Sequence, residues 1–344
     1  MHTGATARVG RSLGVLALLA GLAACTGDEP RTRGTDATGT PTGSVTEPVT
    51  ELVPVDTGLL GELVDRSLAT PKIPPTYLTV VDLAAARAAA GLDPSADPTD
   101  RDVVGSGSWI LGGAQAAALP FTSEEGLLEV IDPTQVTAAV SAGAVAERVQ
   151  VLHTDQDAAE LRAGLEDLGY VADGDVLTYQ GEAPATRTVH HVALADGLVA
   201  LAGDRRAEGA DAARAALAQS PATTPQGALA AELTAGTGAA GVTILSGFEG
   251  GAWSCLEAVA VVEPFSGQPG EMVFVPATDP ADVEVVVGTE SLHASDLASY
   301  TFGEPETDGD LVRVSMARDE ADAAPGLLDV RTSGYPAEAV ARCD

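Results

Sequence analysis

Apolar positions at 59, 60, 63, 64 and 68 carry the spacing of one helix face, and Pro71-Lys72-Ile73-Pro74-Pro75 ends the run. Tyr77 to Val81 then reads as a strand, with Asp82 as the N-cap of a helix that runs through Ala90 and is closed by Gly91. Asp93 to Asp102 is an acidic, proline-broken loop, and Ser108 to Leu111 a short apolar segment. Asp132-Pro133 reads as a helix start with proline at the first helical position, giving Val136, Ala139 and Val140 as the buried stripe. Val145 to Leu152 returns as a strand. Thr154 then caps a helix on which Ala158, Leu161, Leu165 and Leu168 share a face, with Gly169 at its end.

Asp173-Gly174, Asp196-Gly197 and Asp308-Gly309 each separate runs rich in Val, Leu and Tyr, the pattern of two-residue β-hairpins. Val189 to Leu194 and Leu198 to Ala202 are therefore expected to pair antiparallel. Gly209 to Ala218 predicts an alanine-rich helix, and Thr224-Pro225 caps another that ends at Gly236. Strands are expected at Val242 to Leu245, Leu256 to Val262, Met272 to Val275, Val283 to Val287 and Leu311 to Met316. The fold class this implies is α+β, with mixed or antiparallel sheets, hairpins and packed helices. The matched segments Ala172-Asp173-Gly174-Asp175-Val176 and Thr307-Asp308-Gly309-Asp310-Leu311 leave open a reading as two similar subdomains, 55–220 and 221–344.

The N-terminus is organised differently. Arg8 and Arg11 precede an uninterrupted apolar and small-residue run from Leu13 to Ala24, which makes residues 1–24 an export signal, and the run is too short to span a bilayer. Leu22-Ala23-Ala24-Cys25 resembles the lipobox of bacterial lipoproteins. That resemblance implies diacylglyceryl transfer to the Cys25 thiol, cleavage before Cys25, and a membrane contact through the lipidated Cys25 on the outer face of the cell membrane. Residues 25–54 are Thr, Gly, Pro, Asp and Glu with almost no apolar periodicity, the composition of a disordered tether.

Hydrophobic residues make up 45% of the chain, which excludes wholesale disorder, but aromatics are only 3%, so the core must be built from Val, Leu and Ala. Loss of Arg8 and Arg11 with the signal leaves 16 basic residues against 50 acidic ones and moves the net charge from -32 to -34. A surface of that sign argues against nucleic-acid partners, because phosphate binding draws on clustered Lys and Arg. Assigning Cys25 to lipid leaves Cys255 and Cys343 as the one remaining pair among three cysteines, and a disulfide between them is the economical reading for an exported protein; two separate reduced thiols are the alternative.

Ile73-Pro74-Pro75-Thr76-Tyr77-Leu78-Thr79-Val80-Val81-Asp82-Leu83 and Val192-Ala193-Leu194-Ala195-Asp196-Gly197-Leu198-Val199-Ala200-Leu201 resemble segments of uncharacterised actinobacterial lipoproteins and related exported proteins. The resemblance implies an envelope location and supplies no catalytic residues.

Candidate chemistry is sparse. Gly236-Thr237-Gly238-Ala239-Ala240-Gly241 matches G-x-G-x-x-G, but a helix precedes it and a strand comes after, the reverse of a dinucleotide fingerprint, so no cofactor is expected. His190 and His191 are neighbours on a predicted strand and point to opposite faces, so they cannot chelate one metal ion together; His153 and His293 are isolated. The acidic groups Asp93, Asp97, Asp100, Asp102 and Glu304, Glu306, Asp308, Asp310 lack the spacing of a calcium loop. Gly105-Ser106-Gly107-Ser108-Trp109 is not a nucleophile elbow, and no Ser-x-x-Lys occurs. The expectation is a noncatalytic envelope lipoprotein that binds or scaffolds an envelope protein or cell-wall partner. Two readings stand beside it: a substrate-binding lipoprotein of an importer, and an envelope hydrolase with a dispersed site.

Overall fold

Val136 to Ala142 is buried at six of its seven positions, the pattern of a strand covered on both faces, and it lies at the middle of a large sheet. The computed structural model describes residues 57–70, 76–89, 93, 95–97, 126–143, 147–181, 188–218, 223–237, 239–247, 255–264, 270–280, 283–285, 300–318 and 341–343. The export signal, Cys25, the tether, Lys72, the 105–111 segments and His293 lie outside these residues.

In chain order the helices are α1 (Thr57–Ser67), α2 (Leu83–Ala89), α3 (Leu127–Val130), α4 (Ala158–Asp167), α5 (Ala207–Leu217) and α6 (Pro225–Thr237). The strands are β1 (Thr76–Asp82), β2 (Val136–Ala142), β3 (Val149–Thr154), β4 (Tyr170–Asp173), β5 (Val176–Tyr179), β6 (His191–Ala195), β7 (Leu198–Ala202), β8 (Ala239–Ser246), β9 (Leu256–Pro264), β10 (Gly270–Pro276), β11 (Val283–Val285), β12 (Tyr300–Asp308), β13 (Leu311–Arg318) and β14 (Ala341–Cys343). Twelve of them form one antiparallel sheet in the order β12-β13-β10-β9-β8-β1-β2-β3-β7-β6-β5-β4, and β11 pairs with β14 in a second. Residues 51–344 are one compact unit, in which strands from either side of position 220 pair directly, β1 with β8. The α+β class is therefore as the pattern predicted.

All three Asp-Gly hairpins form, with Gly174, Gly197 and Gly309 at positive φ (68°, 73° and 61°). The outer two sit at opposite edges of the sheet. At one edge β4 leaves Val171 54% exposed; at the other β12 exposes Glu304, Pro305 and Glu306. Glycine is the residue that takes this left-handed backbone without steric cost.

Two expectations are corrected. Asp132-Pro133 opens a single 3-10 turn, Pro133–Gln135, with Asp132 Oδ1 accepting from Thr134 N at 2.9 Å, and the chain then extends into β2. Val136, Ala139 and Val140 are buried as strand residues, since a central strand with apolar layers on both sides reads like a helix stripe over so short a run. Thr154 ends β3, and α4 is capped instead by Asp157, whose Oδ1 accepts from Ala159 N and Glu160 N at 2.8 and 3.1 Å. β3 itself begins at Val149.

Two apolar layers cover the sheet. On one face Leu60, Leu63 and Val64 of α1, Ala213 and Ala216 of α5, and Leu229, Ala230 and Leu233 of α6 pack on Val80, Val140, Val151 and Ile244. On the other, Leu83 of α2, Leu127 of α3, and Leu161 and Leu165 of α4 pack on Val81, Ala139, Leu152 and Val199. The connection from β7 to β8 runs through α5 and α6 and passes over β3, β2 and β1.

Polar side chains fix both layers. Asp65 Oδ1 accepts from Thr224 N (2.8 Å) and Thr224 Oγ1 (2.7 Å), and Thr224 Oγ1 in turn accepts from Gly227 N (3.0 Å), so a carboxylate of α1 completes the N-terminus of α6. Its neighbour Arg66 donates from Nη1 to the carbonyls of Ala216 (3.2 Å) and Ala218 (3.1 Å) at the C-terminus of α5, with its other donors on Glu62. A Cβ on Gly227 would collide with the Asp65 carboxylate, which is why α1 and α6 can approach so closely there. On the opposite face Arg87 is 2% exposed and donates to three carbonyls, Ala96 (3.0 Å), Val136 (2.9 Å) and Pro133 (2.8 Å).

Replacing Arg87 with Met is expected to cost roughly 3–5 kcal/mol, because three carbonyls, two of them in buried hydrogen bonds, lose their donors. Arg87→Lys is expected to recover less than half of that, since an ammonium cannot reproduce the planar fork. Urea midpoints of the two variants check this. Asp65→Ala is expected to cost about 1–3 kcal/mol in the same measurement.

Candidate functional site

The strongest candidate lies where β3 begins and β7 ends. Val149 and Ala202 are cross-strand partners, and Gly203 N donates to Arg148 O at 3.0 Å, which closes the strand pair. The chain then turns through Asp204-Arg205-Arg206 into α5. Asp204 makes the turn: Oδ1 accepts from Arg206 N (2.9 Å) and Nε (3.0 Å), and Oδ2 accepts from Arg206 Nη2 (3.0 Å). The Arg206 side chain beside it holds the Asp204 carboxyl below the usual carboxylate range.

Above this turn is an open cleft of about 400 Å³ lined by Glu147, Arg148, Asp204, Arg206, Glu208 and Asp211. Two arginines and four acidic residues line it, so it presents charges of both signs in a chain that is strongly acidic overall. Such a surface suits a ligand or partner that carries charges of both signs, with Val149, Ala202 and Ala212 offering it an apolar floor.

The adjacent histidines split across the sheet as the alternation requires. His190 Nε2 accepts from Arg205 Nε at 2.9 Å. His191 packs on the opposite face, its Nδ1 3.0 Å from Thr178 Oγ1 on β5, and its buried Nε2 has no hydrogen-bond partner. Burial pushes the His191 imidazole below its ordinary pKa, against the opposing pull of the Arg206, Arg205 and Asp204 backbone and the Asp204 charge. His153 Nδ1 lies 2.6 Å from Thr137 Oγ1, where a bulge between Val136 and Ala138 turns Thr137 toward β3.

The remaining sequence candidates fall elsewhere. Thr237 ends α6 and Ala239 begins β8, so the glycine-rich match joins helix to strand, the order inverse to a dinucleotide site. Asp93 accepts from Ser95 N in a local turn. Asp308 Oδ2 accepts from Arg313 Nε at 3.1 Å, and Arg313 Nη1 reaches Glu271 at 2.9 Å. Among the described residues no group of three or more His, Cys, Asp or Glu is placed to hold a metal ion. Cys255, just before β9, is disulfide-bonded, and Cys343 is the last residue of β14, opposite Val283 on β11.

No family model matches the chain. No curated protein matches it in sequence either. Two solved structures of TP0453 resemble it: crystal form I, with a TM-score of 0.41 at 10% identity over 83% of this chain and 99% of that one, and crystal form III, also 0.41 and 10%, over 80% and 97%. Among the described residues no helix is long and apolar enough to cross a membrane.

Sequence reading did not find the Asp204–Arg206 turn or the cleft above it. One signal was present: Asp-x-Arg directly before an alanine-rich helix is a local carboxylate–guanidinium turn at a helix start.

Gly209, in the first turn of α5, is the sensitive position. An added Cβ would collide with the Asp204 carbonyl oxygen and come within 2.7 Å of His191 Cδ2. Gly209→Ala is expected to destabilise by about 1–3 kcal/mol despite the better helix propensity of alanine, as measured by thermal or urea unfolding.

Proposed function

We propose that the chain is a lipid-anchored module of the cell envelope, held at the outer face of the cell membrane through Cys25, and that its compact unit binds or scaffolds a partner without catalysis. The observation that carries the reading is the order of features along the chain. A basic n-region, an apolar run, Leu22-Ala23-Ala24-Cys25 and a polar tether lead to a compact unit that starts at residue 51. Acyl chains contribute about 0.8 kcal/mol per buried CH₂, so two or three of them hold a protein at a bilayer without a spanning helix.

The noncatalytic part draws support from where the reactive groups are engaged. Arg87 and Arg66 bind backbone carbonyls, Asp65 caps a helix, and His190 accepts from Arg205. The cleft of mixed charge beside α5 is the surface this reading assigns to an envelope protein or cell-wall partner. We further propose Cys343 as the disulfide partner of Cys255. Once Cys25 carries lipid it is the one cysteine left, and β14 brings it to β11, seven residues after Pro276, which pairs with Leu256 next to Cys255. In the chain-entropy view, closing so long a loop contributes about 4–5 kcal/mol.

Cys25→Ala is expected to move the protein from the membrane fraction to the soluble extracytoplasmic fraction, and a variant that stays with the membrane would overturn the anchor. Peptide mapping without reduction is expected to yield one linked peptide holding Cys255 and Cys343; two free thiols after alkylation would refute the pairing.

A further inference from the structure

The buried imidazole beneath α5 takes no part in the anchor or in the cleft wall. His191 is 3% exposed, sits on the sheet face that α5 covers, and touches the first helical turn at Gly209. Thr178 holds one ring nitrogen. The other, Nε2, makes no hydrogen bond of ordinary geometry, although the backbone of the 204–206 turn lies near enough to the ring to favour its protonated form. The ring therefore lies directly under the segment that carries Asp204, Arg206 and Glu208, three residues of the cleft wall.

We propose that His191 is an acid-operated latch on this segment: neutral, it lets the 204–209 turn pack down on the strand ends, and protonated, it releases the turn and opens the cleft. The physical reason is position. A proton on the ring puts a full positive charge in a desolvated site at the N-terminal end of α5, where the helix already carries partial positive charge from its unsatisfied N–H groups. The N-cap residue of α5, Arg206, supplies no side-chain cap; the carboxylates near that end are Asp204, which Arg206 engages, and Glu208.

The surroundings decide the sign. β5 presents Thr178, β7 presents Ala202 as the cross-strand partner, and α5 presents Gly209, none of which titrates in the acidic range. From the 204–206 turn come the backbone groups of Arg206, Arg205 and Asp204 and the Asp204 carboxylate, which favour the protonated ring; Arg206 binds that carboxylate and blunts its effect. His190, the preceding residue, is on the opposite face with Arg205. Glu208 and Asp211 of α5 line the cleft. Desolvation outweighs these, so the packed state prefers the neutral ring. Below the ordinary imidazole value of 6.5, the released state takes up a proton that the packed state refuses, and packing weakens progressively as the pH falls. Above that value the latch is closed.

Hydrogen exchange read by mass spectrometry on the full chain tests this at about pH 7 and about pH 5, with labelling times adjusted for intrinsic exchange. Peptides covering 204–213 are expected to exchange roughly tenfold faster at the lower pH than the adjustment allows. His191→Gln, which cannot take a proton, is expected to abolish that pH dependence while peptides of β2 and β3 are unaffected. Wild-type protection that is the same at both pH values overturns the latch, and so does a pH dependence that survives in His191→Gln. Should the variant fail to fold, the wild-type imidazole resonances serve instead. A His191 titration that coincides with the exchange transition supports the latch, and a ring still neutral after 204–213 has opened refutes it.

Discussion

Two neighbouring side chains on α1, Asp65 and Arg66, hold the connection on which the sheet depends. The chain leaves β7 and returns to the sheet at β8, and three strands lie between them. α5 and α6 span that distance over the central strands, and the end of one and the start of the other must be held over β1 and β2. Asp65 supplies negative charge and hydrogen-bond acceptance to the N-terminus of α6, and Arg66 supplies positive charge and donors to the C-terminus of α5. Each complements the helix dipole it meets. Reversing the order of the two residues would put each charge at the wrong terminus.

The opposite face solves a related problem by different means. There the chain passes from β1 through α2 and α3 to reach β2, and Arg87 gathers three carbonyls from the ends of that excursion. Burial lowers the Arg87 pKa and the charges of Asp97, Asp132 and Asp82 raise it in turn, so a guanidinium is the group able to keep its charge there. Asp82 caps α2 through Ala85 N at 2.7 Å although burial raises its pKa. Apolar contact fills both layers, while these few polar groups set where the layers sit.

The features legible in the sequence were local ones. The three Asp-Gly hairpins were readable because the turn chemistry lies in two adjacent residues, and the caps at Asp82 and Thr224 because a cap acts within three residues. The Asp132-Pro133 signal misled because a proline-led turn is common to a long helix and to a single 3-10 turn, and whether the chain then coils or extends is decided by layers contributed from elsewhere. β12, the first arm of the Asp308-Gly309 hairpin, has no legible strand bounds because Glu304, Pro305 and Glu306 belong to an exposed edge that shows little alternation of apolar residues. The Asp65–Thr224 contact joins residues 159 positions apart, and the cleft beside α5 brings Glu147 and Arg148 to Asp204 and Glu208. Neither has a spacing that one chain reveals.

Among the described residues the twelve-stranded sheet ends in β12 on one side and β4 on the other, and the two strands present unequal borders. Along β12, Pro305 removes a backbone donor, the register slips between Phe302 and Pro305, and carboxylates stand on either side. A second sheet approaching that border finds an interrupted ladder and like charge. Growth by strand addition is therefore disfavoured at β12.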